Sequence, residues 1–242
     1  MIKEFNHDVQ LHLHPEWTDE IRPLVFAGAT SKRQNLSFYS LAEQTALIKL
    51  GMELLGSVGC DGIKAFRAGS FASNHDTYRA LHSLGIHIDS SIHAVLPHSA
   101  PDLRGSIDFH HPLVLEKVRI LPMTIFKDGF GRSRPAQVGA CGFAEMRDAI
   151  ISARNNGTEH FVILSHNFEM LKQGRAEPDM WVVSRFEQLC AFLASQRDTI
   201  DVCTFSNGGI SFDTARPPPF ARASVASTLR RHGEQAIRRL SN

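Results

Sequence analysis

The chain alternates short apolar stretches of strand type with longer stretches of helical period, and this alternation restricts its fold more than any other feature. Strand-type segments fall at 7–14, 63–67, 86–89, 118–125, 160–165 and 200–205. Between them, 40–56, 74–84, 142–155 and 179–195 carry apolar residues at helical spacing. Ser40 followed by Glu43 reads as a capping box, and Gly85 and Asn156-Gly157 read as helix stops. Strand–helix alternation of this kind predicts an α/β protein, with a mainly parallel sheet covered by helices. At 242 residues, an open doubly wound sheet and a closed barrel both fit.

Several function classes drop out early. No G-x-G-x-x-G follows a strand, no G-x-x-x-x-G-K is present, and there is no G-x-S-x-G elbow. The net charge of +1 gives no global field to gather nucleic acid or a membrane surface. No apolar run approaches the ~20 residues that span a bilayer, and no signal peptide is legible at the start. The expectation is a cytoplasmic protein. Its four cysteines, Cys60, Cys141, Cys190 and Cys203, lack C-x-x-C spacing and read as reduced, mostly buried thiols. Residues 1–215 read as a single domain. Residues 216–242 read as a proline-rich linker and a basic helix that packs its Val225, Leu229 and Ile237 side. A tail that binds a partner or an anionic surface is the competing reading.

Histidine is over-supplied, with 13 in the chain. Period-two alternation in the first strand puts Asp8, Gln10, His12 and His14 on one face and Val9, Leu11 and Leu13 on the other. Two imidazoles two residues apart at a strand end can reach one metal ion, and zinc takes nitrogen ligands at ~2.0 Å. On these residues alone, a metal site and a solvated polar face both stand. A second motif, Phe66-Arg67-Ala-Gly69-Ser70-Phe71, also ends a strand. There Arg67 can clamp a carboxylate and Gly69 can permit a tight turn. The third is His166, just past the apolar run 160–165, where it can serve as a general acid or bond to backbone. Asp89 either orients a histidine or caps a turn. His110 and His111 sit in a polar loop.

In this order, the three motifs resemble the polysaccharide deacetylase family. They are Asp8-Val-Gln-Leu-His12-Leu-His14-Pro-Glu-Trp17, Phe66-Arg67-Ala-Gly-Ser70 and Leu164-Ser165-His166. The stretches 78–91 and 118–124 are similar to the family's intervening helix and strands, so the resemblance runs from about residue 7 to 205. It implies a distorted (β/α) barrel and a metal-dependent hydrolase that removes acyl groups, acetyl above all, from a sugar or polysaccharide. The bond broken is a carbon–nitrogen bond other than a peptide bond. The cofactor implied is a divalent metal, zinc first, held by His12 and His14. The resemblance makes Arg67 the holder of the catalytic carboxylate and His166 the general acid. Trp17 and Phe71 lie next to these motifs and are candidate sugar-binding rings. The partner implied is a carbohydrate or small acylated substrate, with no nucleic acid and no membrane span.

The family's first strand carries two aspartates, and no Asp-Asp pair precedes Asp8 here. The chain lacks the first acidic motif, and its barrel is expected to be incomplete at the N-terminal side. Asp8 is the remaining acid on the histidine face and is entered as a catalytic candidate. Two other readings compete. One is a degenerate carbohydrate-binding remnant. The other is a different H-x-H barrel metallohydrolase, an amidohydrolase or phosphoesterase, recruiting His93, His98, His110 or His166.

Overall fold

The computed structural model describes residues 3–5, 7–27, 31–207 and 217–240. They form a mixed α/β structure in two compact units, split after Pro122. The first unit holds the residues up to Pro122 together with 203–207. The second holds Met123–Val202 and the C-terminal helix.

In the first unit, five strands form one sheet in the order β1-β2-β3-β5-β4. They are β1 (Leu11–Leu13), β2 (Ala65–Ala68), β3 (Ile88–Asp89), β4 (Leu113–Leu115) and β5 (Val118–Ile120). β1, β2, β3 and β5 run parallel, and β4 is antiparallel to β5. Among the described residues no barrel closes, and β1 forms one edge of the sheet. The alternation read from the sequence holds in β1. Leu11 is buried on the helix-covered face, while His12 and His14 are exposed. The regular strand is shorter than 7–14, because β2 pairs only with Leu11–Leu13.

Two helices, α1 (Leu41–Ser57) and α2 (His75–Ser83), pack on each other, and α1 also packs on β1. Both begin where local chemistry directs. The Ser40 and Asn74 side chains accept from the backbone N–H of Glu43 and Thr77, which answer in capping boxes. α2 ends in a Schellman turn. The Ile86 N–H donates to the Leu81 carbonyl at 3.0 Å, and Gly85 takes a φ of +75° that a side chain would resist. Between sheet and helices lie Leu11, Leu47, Ile48, Phe66, Tyr78 and Leu81, all buried.

The second unit contains a hairpin of β6 (Ile125–Lys127) and β7 (Ser133–Pro135) and three helices. These are α3 (Phe143–Asn155), α4 (Met180–Ser195) and α5 (Val225–Leu240), and α3 packs on both others. No helix among the described residues is long and apolar enough to cross a membrane.

Three expectations are corrected here. Residues 160–165 make no strand. Only Leu164 is buried, and it forms a single bridge to Gln137, so no ladder grows from it. Residues 200–205 are also irregular, with Val202 and Cys203 exposed. All four cysteines are free thiols, but only Cys141 is buried, and burial pushes its pKa up to about 11.

The C-terminal helix packs by a different face from the one expected. The backbone of 221–223 bonds to Lys127 of β6, and Arg231, buried in the unit, reaches the carboxylate of Glu145 at 2.9 Å and of Asp128 at 3.6 Å. Val225, Leu229 and Ile237 are about half exposed. The helix therefore packs its polar side inward and leaves its apolar side outside.

Candidate functional site

The two histidines of β1 meet. The His12 Nε2 and His14 Nε2 atoms stand 3.1 Å apart, with the rings edge to face. The far nitrogen of each ring is committed. His12 Nδ1 donates to the carbonyl of Arg67 at 2.8 Å, across the β1–β2 register that pairs these two residues. His14 Nδ1 donates to Glu16 Oε1 at 2.9 Å. A carbonyl and a carboxylate only accept, so both Nδ1 atoms carry hydrogen. In the neutral rings both Nε2 atoms then present lone pairs to one another. A proton or a cation placed between them would be bonded by both.

The donor set suits a cation. Two nitrogens on one tetrahedral zinc, each at ~2.0 Å, lie roughly 3.3 Å apart, close to the separation seen. Metal-bound histidines also characteristically anchor the other ring nitrogen on a carbonyl or carboxylate. Glu16 does this for His14. The role of Glu16 through His14 needs the fold of the turn and has no signal in the sequence. That turn is braced from below, where Thr18 Oγ1 and the Tyr39 hydroxyl meet at 2.6 Å and Tyr39 donates to the Pro15 carbonyl. Among the described residues, no set of three or more His, Cys, Asp or Glu side chains is placed to hold a metal.

Gly69 is needed for a reason other than the tight turn expected of it. Its backbone lies against the His14 ring, and a β-carbon there would stand 2.7 Å from His14 Nδ1. The turn itself is made by Ser70 and Phe71, whose φ values of 55° and 57° are left-handed and strained for side chains. Phe71 is buried, with its ring 4.9 Å from that of His93, so it does not offer a free face. His93 is itself buried, and burial holds its pKa down to about 4. Trp17 is exposed, with the Lys32 ammonium 4.2 Å from its ring centre.

Arg67 is half-buried. Burial pulls its pKa down, and the charge of Asp89 opposes that. Among the described residues no carboxylate forms an ion pair with it. Asp89 is fully buried on the helix-covered side and accepts from the Ser91 N–H at 2.8 Å and the Ser91 hydroxyl at 2.5 Å. It therefore caps its own turn and orients no histidine. Burial raises its pKa to about 7, against the Ser91 hydrogen bonds.

Asp8 is not brought to the histidine pair. It sits four residues before His12 in an extended segment and accepts from Gln10 Nε2, the Ser206 hydroxyl and the Ser206 N–H. Burial acts upward on its pKa, but these hydrogen bonds prevail and hold it below the usual carboxylate range. His111 forms a local contact with Asp108 at 2.5 Å.

His166 belongs to the second unit and precedes a 3-10 turn, Asn167–Met170. Its Nδ1 lies 3.0 Å from Glu169 Oε1. Glu169 is fixed in turn by the Gln137 amide and by the Gly139 N–H, the latter at 3.1 Å. The result is an oriented imidazole whose Nε2 points away from its carboxylate partner. Glu169 was absent from the sequence reading, although an H-x-x-E spacing would have flagged it. Gln137 and Gly139 carried no local signal.

No protein-family model, no curated protein and no solved structure matches this chain.

Proposed function

We propose that the chain is a metal-dependent hydrolase of the polysaccharide deacetylase type, removing acetyl or other acyl groups from a sugar. The observation that carries this reading is the facing Nε2 pair of His12 and His14 at 3.1 Å, with both Nδ1 atoms anchored. His12 and His14 would hold the cation, zinc being the first choice for nitrogen ligands. When bound there, it would supply Lewis acidity toward an acyl carbonyl and toward water. Arg67 supplies a positive charge beside His12 on the same sheet face. The reading assigns His166, oriented by Glu169, to protonating a departing amine. Exposed Trp17 offers an aromatic face to a sugar ring. The distorted barrel of the family is part of this reading and would need strands beyond the open sheet described.

A second reading is a sugar-binding chain without catalysis. Asp8 is engaged by Ser206, and no third ligand joins the histidine pair among the described residues. One experiment separates the two. The untagged chain is purified and its metal content measured beside His12→Ala and His14→Ala, and acetate release from N-acetylglucosamine oligomers is assayed. A near-stoichiometric divalent metal lost in both variants, with metal-dependent acetate release, supports the hydrolase. A parent chain that takes up no zinc on incubation excludes it.

A further inference from the structure

The second unit contains an open cavity of about 800 Å³ that lies beside the His166–Glu169 pair and has no ligand assigned to it above. Its walls are the turn at Gln137–Ala140 and the segment from Phe168 to Ala176, with Arg238 of α5 beside them. The volume falls within the range of small-molecule sites, about 300–1,000 Å³.

The wall is a built structure. Leu171 bridges Pro178, and the Lys172 N–H donates to the Glu177 carbonyl at 2.9 Å, closing an excursion with Gly174 at a left-handed φ of 70°. Arg175 stands at the tip of that excursion. It is exposed and makes no ion pair among the described residues. Among the described residues Lys172 pairs with Glu177 alone, a solvent-accessible contact at 3.0 Å that costs little to exchange. Arg238 is paired with Asp179, and its Nε has no hydrogen-bond partner. The lone acid in the lining, Glu169, is already bonded by Gly139, Gln137 and His166. Lys172 and Arg238 thus have acid partners at the rim and Glu169 carries a charge held by neutral donors, which leaves Arg175 as the lining cation without an ion pair among the described residues and Lys172 as one that can exchange its partner. The cavity's remaining feature is Phe168, a mostly exposed ring stacked on His166, with centroids 4.8 Å apart and planes at 25°.

We infer that this cavity binds a sugar bearing an anionic group, a carboxylate or a phosphate ester. Arg175 and Lys172 take the charge, and Phe168 lies against the sugar face. Arginine suits either anion, because its planar fork bonds two oxygens at once. The identification of the ligand as a sugar rests on the hydrolase reading, whereas the anion preference rests on the cavity alone.

Calorimetric titration of the full chain with glucuronic acid, glucose 6-phosphate and glucose tests this. At least one anionic sugar is expected to bind about tenfold or more tightly than glucose, and the better of the two identifies the group. Arg175→Ala and Lys172→Ala should each weaken that binding by about tenfold, with the unfolding midpoint unchanged. Glu177→Gln, which releases Lys172, should tighten it. Equal binding of all three sugars, no binding, or binding indifferent to Arg175 and Lys172 overturns the inference. The metal analysis above is independent. Zinc uptake and release of acetate from neutral oligomers, without anion preference, would leave the hydrolase standing and sink only this inference. Anion binding lost in Arg175→Ala, in a chain that takes up no metal, would do the reverse.

Discussion

Gly69 and His14 are in such close contact that no side chain fits between them. A β-carbon on Gly69 would meet His14 Nδ1 at 2.7 Å, His14 Cγ at 2.8 Å and the Leu13 carbonyl oxygen at 2.8 Å. The ring can rotate away, but the carbonyl belongs to β1 and cannot. Gly69→Ala should therefore push His14 off Glu16 and separate the two Nε2 atoms. The expected cost is about 1–3 kcal/mol in urea denaturation, as for other overpacked sites. Zinc affinity by chelator competition should fall at least tenfold. The neighbouring Ser70→Gly relieves a left-handed φ of 55° and should stabilise by up to about 1 kcal/mol. If Gly69→Ala keeps full metal affinity, His14 is not a ligand.

Glu169 acts through His166, and the two can be tested together. Glu169→Gln keeps the shape and removes the charge that orients Nδ1. Gly139→Ala reaches the same carboxylate by another route, since its β-carbon would stand 2.6 Å from Glu169 Oε2. If His166 is the general acid, both variants should lower kcat on N-acetylglucosamine oligomers by about 10- to 100-fold, with KM little changed. Unaltered kcat in both would remove His166 from the chemistry.

The parts legible in the sequence were those set by near neighbours. Ser40 with Glu43 and the Gly85 stop are contacts within a few residues, so α1 and α2 could be placed closely, and the Asn74–Thr77 box is one more such contact that the structure adds. The histidine face of β1 followed from period two alone. Strand identity is different, because it depends on a partner. Residues 160–165 are as apolar as a buried strand, yet among the described residues their only bridge is Leu164 to Gln137. The face of α5 was misread for a similar reason. Its periodicity favours burying Val225 and Leu229, but the acids that draw Arg231 inward lie on β6's turn and on α3, far off in sequence. The barrel and the sugar came from the family resemblance, and the open sheet supports only the parallel α/β part.

Asp89 gives stability a pH dependence with a definite sign. Its pKa is about 7 in the folded chain, above the ordinary 3.8. Between those values the unfolded chain releases this proton while the folded chain keeps it, so the contribution of Asp89 falls as pH rises from about 4 to 7. Asp89→Asn can still accept the Ser91 N–H. The variant should gain roughly 2–4 kcal/mol over the parent at pH 8 compared with its difference at pH 4. Urea denaturation at the two pH values measures that double difference. A difference that does not grow with pH would place a charged Asp89 in the fold, stabilised by Arg67.

Arg231 is the residue on which α5 depends. It is buried with Glu145 and Asp128, both buried too, and Thr228 adds a 3.0 Å bond to Glu145 Oε1. The Arg231 Nε–Glu145 Oε2 approach is an ion-pair contact whose geometry does not make a hydrogen bond, so charge supplies most of the attraction. Removing one partner of a buried pair leaves the other uncompensated in low dielectric, typically a loss of about 3–5 kcal/mol. Arg231→Ala should show a loss of that size in urea denaturation and expose the turn around Gly129, whose N–H is held by Thr228. Leu229→Ser, on the exposed face, should change stability by less than about 0.5 kcal/mol. The reverse order, with Leu229→Ser the costly change, would mean that the helix buries its apolar side after all and that the charges face water.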